Sequence, residues 1–184
     1  MRSLKLAAGV VLVVQTAAVM GATLTMGGPL SQLCYQAALT HDDRSSSMDA
    51  CNRSLNEEAL TVPDRAATLN NRGILRMRTG RLAEADADFD AALAIDRNAP
   101  DPWLNKAFLR LRAGNGREAL PLLDEGIKRR PARAALAYFA RGLAYEDLGN
   151  FEAAYADLQR ARELEPRWAL PARYLARYRV QRDR

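Results

Sequence analysis

The chain has 184 residues, a formal net charge of +5, 48% hydrophobic residues and 27% charged residues. This length accommodates one domain of ordinary size, and the composition is that of a globular protein rather than a disordered or fibrous one. A small excess of positive charge steers partners without defining them, so it does not by itself indicate a nucleic-acid-binding protein.

The first 22 residues have the layout of a secretory signal peptide. Arg2 and Lys5 precede an apolar run over residues 6–14, and small residues follow over 17–22. The apolar run is well short of the roughly twenty residues that span a bilayer. The pattern predicts cleavage near Gly21 or Ala22 and a periplasmic or secreted protein. An uncleaved inner-membrane anchor is the alternative.

The chain contains two cysteines, Cys34 and Cys51. Export would place them in an oxidising compartment, where two cysteines in a small domain are read first as a disulfide. Free thiols and metal or redox chemistry are the alternatives. A zinc site is disfavoured because structural zinc takes four ligands and His41 is the only histidine.

A repeat of 34 residues organises the chain after residue 65. Three blocks, 66–99, 100–133 and 135–168, carry small residues at their eighth, fifteenth, twentieth and twenty-seventh places and a large apolar residue at the twenty-fourth. In the first block these are Gly73, Gly80, Ala85, Ala92 and Phe89; in the second Ala107, Gly114, Ala119, Gly126 and Leu123; in the third Gly142, Gly149, Ala154, Ala161 and Leu158. Small and large residues at fixed spacing let paired helices pack closely, and the glycine at place fifteen ends the first helix of each pair.

This spacing resembles the tetratricopeptide repeat (TPR), a 34-residue helix-turn-helix unit. Its closing proline is present as Pro131 and Pro166, whereas Arg97 stands there in the first block. Place eleven, usually aromatic, also departs in the first two blocks, which have Arg76 and Arg110. The resemblance implies an all-α fold, a right-handed superhelix of helical hairpins.

The segments flanking the three blocks are also interpreted as helical. Residues 30–57 resemble a degenerate first hairpin, with helices over about Leu30–Thr40 and Ser46–Leu55, in which Cys34 faces Cys51. Residues 168–181 have apolar residues at helical spacing and are predicted to form a capping helix.

The seventh place of each block holds a cation where the family has leucine. These cations are Arg72, Lys106 and Arg141, and sixteen residues further on stand Asp88, Leu122 and Asp157. Arginine therefore occurs only where aspartate does. Bidentate ion pairs Arg72 with Asp88 and Arg141 with Asp157, between the two helices of one hairpin, would explain this coincidence.

Neither a catalytic site nor a metal or cofactor site is predicted. Asp86, Asp88 and Asp90 imitate the start of a calcium loop, but the sixth and twelfth places hold Ala91 and Arg97. They are interpreted as a solvated helix face, and His41 as a surface residue. The basic tail with Arg173, Arg177, Arg179, Arg182 and Arg184 could meet anionic lipid or nucleic acid. A solvated helix end is favoured.

In the family, first helices line a concave groove, and certain places in each repeat face it. Carried onto this chain, those places hold Asn70, Asn71, Ile74, Met77, Arg78, Leu104, Asn105, Phe108, Leu111, Arg112, Phe139, Leu143, Glu146 and Asp147. Asparagine can bond the backbone of an extended peptide, Arg78 and Arg112 can bind a carboxylate, and Phe108 and Phe139 can serve as apolar anchors.

The resemblance therefore implies a non-catalytic protein-protein interaction module without a cofactor. The expected partner is another polypeptide, with an acidic or C-terminal segment as the leading hypothesis. No nucleic acid is expected, and membrane contact is expected only through the signal peptide or the basic tail. A self-associating structural subunit of an envelope complex and an enzyme accessory domain are the alternatives, and the oligomeric state is left open.

Overall fold

The computed structural model describes residues 4–6, 21–42 and 44–180. Within them the chain is built of helical hairpins, which confirms the all-α fold class. The helices are α1 (Pro29–Thr40), α2 (Ser45–Glu57), α3 (Val62–Arg78), α4 (Leu82–Ile95), α5 (Pro100–Arg112), α6 (Gly116–Lys128), α7 (Ala134–Asp147), α8 (Phe151–Leu164) and α9 (Ala169–Leu175). Two three-residue strands, β1 (Leu4–Leu6) and β2 (Tyr178–Val180), pair antiparallel.

Some elements differ in extent from the sequence-based expectation. Helix α3 begins at Val62, ahead of the first repeat block, because Thr61 caps it by accepting a hydrogen bond from the Asp64 amide. The capping helix, expected through residue 181, ends at Leu175, and the chain continues as β2. The predicted signal peptide lies mainly outside the described residues, which include only residues 4–6, 21 and 22 of it. Among the helices that are described, none combines the length and apolarity needed to cross a membrane.

The chain divides within α5 into two compact units. The first, residues 19–109, has a core at the α3–α4 hairpin. Its buried members are Ala38, Ile74, Met77, Ala85, Phe89 and Leu109. Gly73 lies against this core, where a Cβ atom would be 2.5 Å from Cε1 of Phe89. The glycine at place eight is therefore the hole that receives the large residue of place twenty-four.

The second unit includes residues 110–180, and its core lies between α7, α8 and α9. Phe139 packs against Trp168 at 4.9 Å between ring centroids and against Tyr174 at 5.1 Å in a T-shaped arrangement. Tyr178 donates a 2.5 Å hydrogen bond to Glu146, and burial raises the pKa of this tyrosine far above its usual range.

Part of the basic tail is bonded within this unit. Arg177 pairs with Glu146 at 3.3 Å and lies 4.7 Å from the ring centroid of Tyr174. This arginine is therefore committed to the core of its own unit, while Arg182 and Arg184 lie outside the described residues.

Glycines end the first helix of each repeat, as the spacing predicts. Gly80, Gly114 and Gly149 have φ values of 82°, 69° and 71°. This left-handed conformation costs a residue with a side chain about 1 kcal/mol or more, which explains why glycine recurs there.

The arginines of place seven bind the aspartates of the partner helix. Arg72 donates to Asp88 through Nε at 3.0 Å and through a terminal nitrogen at 2.7 Å, and Arg141 binds Asp157 in the same way at 2.7 and 2.9 Å. Hydrogen bonds to Asp157 and to a second acceptor, Asp124, raise the pKa of Arg141 further above its usual value. Both hairpins thus carry a partly buried bidentate ion pair.

The second repeat uses its cation differently. Lys106 pairs with Asp86 at 3.5 Å and with Asp90, both on α4, because Leu122 provides no charge on its own hairpin. Asp86 and Asp90, read from the sequence as a solvated face, therefore form ion pairs with the following repeat. Asp88, in the same predicted face, is buried in its pair with Arg72.

Cys34 and Cys51 form a disulfide that joins α1 to α2. Both cysteines are fully buried and pack with Ala37 and Leu75. The bridge closes a loop of 17 residues, whose closure entropy in the unfolded chain corresponds to about 3 kcal/mol.

The disulfide predicts a redox-dependent stability. Replacing both cysteines by alanine should lower the free energy of unfolding by about 3 kcal/mol, as measured by urea denaturation. Dithiothreitol should destabilise the wild-type chain by a similar amount and leave the double variant unchanged. A wild-type denaturation curve that is the same with and without dithiothreitol would contradict the assignment of a disulfide.

Candidate functional site

Three asparagine side chains from the first helices of two repeats converge in the first unit. Asn70 and Asn71 lie on α3 and Asn105 lies on α5, and all three are 0% exposed. We call them the asparagine groove. The sequence places them on the open concave face, but in the structure they are covered by an extended segment, Gly21–Met26, which we call the strap.

The strap is held through its backbone. Asn71 makes two hydrogen bonds to Thr23, accepting from its amide nitrogen at 2.8 Å and donating to its carbonyl oxygen at 2.8 Å. One primary amide thus satisfies both main-chain groups of one residue, as a neighbouring strand would. This contact is independent of the side chain at that position of the strap.

The other two asparagines bond each other and the start of the strap. Asn70 donates to the carbonyl of Gly21 at 2.8 Å and to the hydroxyl of Thr23 at 3.1 Å. Asn105 donates to Asn70 at 2.8 Å and approaches the same Gly21 carbonyl at 3.4 Å. The three amides form one buried network, in which each supports the orientation of the next.

Two carboxylates flank the strap. The hydroxyl of Thr23 donates to Asp101 at 3.3 Å, and the amide of Met26 donates to Asp64 at 2.8 Å. A Cβ atom on Gly21 would lie 2.5 Å from Oδ1 of Asp101. A larger residue at the first position of the strap would therefore require the Asp101 side chain to shift, and carboxylate oxygens lie near both ends of the strap.

The side chains of the strap alternate over its last three residues as in a β-strand. Leu24 and Met26 are 63% and 83% exposed, whereas Thr25 between them is 2% exposed. Ala22 packs against the core cluster that contains Ile74 and Met77. Ile74 and Met77, predicted to line an open groove, are fully buried in that core.

The structure corrects the prediction for Arg78. This arginine does not lie open in the groove for a carboxylate, because it donates to the carbonyls of Ala38 and Ala37 at 3.0 and 2.9 Å. These carbonyls belong to the last turn of α1, whose terminal acceptors have no partner within the helix. Arg78 is thus bonded to the end of α1.

Several predicted groove residues lie in or near the interior of their unit. Leu104 is 4% exposed, and Phe108 packs partly buried on the core of the first unit. In the second unit Phe139 is 2% exposed, and Leu143 packs beside it under α9. Arg112 is exposed. Phe139 is therefore a core residue, since the capping helix covers it.

Sequence reasoning missed the covering segment and its two acidic contacts. Gly21, Ala22 and Thr23 were assigned to the signal peptide or left without a role, while Asp64 lay outside the repeat blocks. The sequence feature that could have indicated a covering segment is the cluster of asparagines at places five and six. Three buried amides need partners, and the polar Thr23–Thr25 stretch could supply them.

In the part of the chain that the structure describes, no group of three or more histidines, cysteines, aspartates or glutamates could hold a metal ion. His41 is exposed at the end of α1. What the arrangement offers is hydrogen bonding to an extended backbone.

Comparisons with known proteins agree with the repeat register. Family models described as tetratricopeptide repeat match residues 66–98 and 135–168. A comparison with curated protein sequences gives no match.

Solved structures share the fold. The first TPR domain of human RPAP3 is 24% identical and has a TM-score of 0.58, covering 62% of this chain and 89% of that one. The first TPR of Spaghetti (RPAP3) bound to the HSP90 peptide SRMEEVD is 24% identical with a TM-score of 0.59, covering 62% and 90%. MamA from Desulfovibrio magneticus RS-1 is 24% identical with a TM-score of 0.65, covering 80% and 82%. Likeness at these identities establishes the fold alone.

Hydrogen exchange tests the position of the strap. In the unprocessed chain, the amides of Thr23 and Met26 should exchange at least about tenfold more slowly than that of Leu24, since both donate to buried side chains. An Asn71→Leu variant, which has no acceptor for the Thr23 amide, should lose the protection at Thr23 and keep it at Met26, which Asp64 holds. Equal exchange of the Thr23 and Leu24 amides in the wild-type chain would contradict the geometry.

Proposed function

The chain belongs to the tetratricopeptide repeat family, and from that premise we propose that it is an interaction module that holds an extended polypeptide in the asparagine groove. One observation carries the proposal: the groove already holds six residues of extended chain, mainly through main-chain groups. A surface that binds its own backbone in this way has the chemistry to bind another.

The asparagines suit this role because an amide carries both a donor and an acceptor. An extended backbone presents both kinds of group, and it leaves them without partners unless a neighbour supplies them. Each such hydrogen bond contributes about 0.5–1.5 kcal/mol net, so two bonds to one residue contribute about 1–3 kcal/mol, which changes affinity by roughly fivefold to a hundredfold.

The proposed partner is a polypeptide. One neighbour in fold binds a peptide, by its own description the HSP90 peptide SRMEEVD, and this supports a polypeptide ligand for a groove of the same architecture. We do not carry over its acidic character. Two cations motivated an acidic partner: Arg78 is bonded to the end of α1, and Arg112 is exposed but lies outside the asparagine groove.

We further propose that the module works outside the cytoplasm, in the periplasm or the medium. The buried Cys34–Cys51 bridge supports this, because disulfides persist in oxidising compartments. The N-terminal segment with the layout of a signal peptide supports it independently.

Processing of the N-terminus tests the location. N-terminal sequencing of the protein recovered from the periplasm or medium should begin at Ala22 or Thr23, since the small residues that precede them suit a signal peptidase. Recovery of the chain only in the cytoplasm, or with Met1 retained in the membrane, would refute export of a cleaved form.

Selection from a displayed library of random extended peptides tests the binding function. The wild-type chain should retain binders, and Asn71→Asp should reduce their capture at least about tenfold, because its carboxylate repels a backbone carbonyl where the amide donated. Asn98→Asp is the matched control, since Asn98 is exposed in the α4–α5 loop and gains the same charge. Equal capture by the Asn71 variant and the control would remove the groove from the proposal.

A further inference from the structure

The groove that the proposed function requires is occupied in the structure. Gly21–Met26 covers all three asparagines and uses both main-chain groups of Thr23. An external polypeptide therefore cannot reach these amides until the strap leaves. The strap lies where a ligand would lie, so its residues indicate which side chains fit at each position of the groove.

The register of the strap defines a pattern. Its first position favours a small residue, because a Cβ atom there would displace the side chain of Asp101. Its third position is a threonine whose hydroxyl donates to Asp101 and accepts from Asn70. Its fifth position, Thr25, faces inward and is 2% exposed, while the fourth and sixth face outward.

Two carboxylates lie beside the strap. Asp101 lies beside its first and third positions, and Asp64 accepts from the amide of its sixth. A carboxylate at the third position would be brought to hydrogen-bond distance of another carboxylate, which is unfavourable. An uncharged segment avoids this repulsion, so the site disfavours an acidic ligand.

Two buried polar atoms show that the strap is an imperfect occupant. The hydroxyl of Thr25 and Oδ1 of Asn105 have no hydrogen-bond partner among the described residues. A buried group without a partner weakens binding. A ligand that donates to Asn105 would remove one of these defects.

The strap can leave without unfolding the helix that follows it. The first turn of α1 is fixed separately by Glu58, which accepts from the amides of Leu30 at 2.8 Å and Ser31 at 3.0 Å. Burial opposes the charge of Glu58, yet these bonds and one from Ser54 lower its pKa overall. The helix start is therefore held by a group that is independent of the asparagine groove.

We infer that the strap is an internal stand-in for the ligand of this groove. The ligand is an uncharged extended segment with a small residue at its first position, threonine at its third and an uncharged inward-facing residue at its fifth, and it binds by displacing the strap. This inference rests on the proposed function. Cleavage after Ala22 would remove Gly21 and its carbonyl, but the contacts of Thr23 with Asn71 and of Met26 with Asp64 would persist.

Competition of this kind has a quantitative signature. The apparent dissociation constant of an external ligand equals its intrinsic value divided by the fraction of chains with an open groove. If the strap occupies about nine chains in ten, the apparent affinity is reduced about tenfold, and freeing the groove restores it. A tethered segment achieves such occupancy readily, because its effective concentration is in the millimolar range.

The test compares two lysine variants of the full chain. Thr25→Lys places a charge at a buried position and should release the strap, whereas Leu24→Lys adds the same charge at its exposed neighbour and should not. The probe is a blocked peptide of sequence Gly-Ala-Thr-Leu-Thr-Met with a fluorophore on a C-terminal linker. Binding is followed by fluorescence anisotropy, and circular dichroism checks that the helices are retained.

We expect the Thr25→Lys chain to bind the probe at least about tenfold more tightly than the wild-type and Leu24→Lys chains. A second probe with aspartate in place of the first threonine should bind at least about tenfold more weakly than the parent. Adding Asn71→Asp to Thr25→Lys should abolish binding of the parent probe. Thr23→Pro, which removes the amide bonded to Asn71, serves as the second releasing variant if Thr23 in the lysine variant stays protected from exchange.

Other results would overturn the inference. Equal binding of the probe by wild-type and both releasing variants would show that the strap does not compete, although the groove would still bind peptide. Failure of helical releasing variants to bind the probe, while library peptides still require Asn71, would reject the strap as a ligand mimic and leave the proposed function standing. If the library also yields no Asn71-dependent binder, the proposed function fails with it.

Discussion

A hairpin of two helices packs closely only where one of them has a very small residue at the contact. At Gly73 the ring of Phe89 takes the space that a Cβ atom would occupy, and at Gly142 Leu158 lies 3.1 Å from where that atom would be. The rest of each unit depends on these contacts. They fix the rotation of α3 and α7 about their own axes, and so they fix which side chains face away from the second helix. Places five and six of the repeat face that way in every block.

What happens at those places depends on what covers them. In the first unit, burial of Asn70, Asn71 and Asn105 would be costly if the amides had no partners. The strap supplies hydrogen-bond partners at 2.8 Å. The ion pair of Arg72 with Asp88 lies elsewhere, at the contact between α3 and α4. The hairpin contact and the groove contact are thus separate, which allows one to be stable while the other exchanges occupants.

The hairpin contacts could be derived from the sequence because they repeat. Three copies of the same pattern of small and large residues predict how the helices pack. The joint occurrence of arginine and aspartate predicts two ion pairs, Arg72 with Asp88 and Arg141 with Asp157, and both are present with a shortest distance of 2.7 Å. The strap has no second copy in the chain, so no internal comparison could locate it. Its small residues also resemble the end of a signal peptide, so the sequence pattern does not distinguish the two. The prediction for Arg78 was wrong for a related reason. Its acceptors are the terminal carbonyls of α1, and main-chain acceptors cannot be recognised from a pattern of side chains.

The first and third repeats differ at places five and six in a way that matches their covers. An extended strap has main-chain donors and acceptors that are not satisfied within itself, and the places beneath it hold Asn70 and Asn71. Helix α9 satisfies its main-chain groups internally, and the places beneath it hold Phe139 and Ala140, with Phe139 packed on Tyr174. An amide under a helix would lack partners, and a phenyl ring under an extended chain would leave the backbone without them. The residue at place five therefore matches the cover of each repeat, and the polar places of the first repeat are the ones that the proposed binding of an extended polypeptide requires.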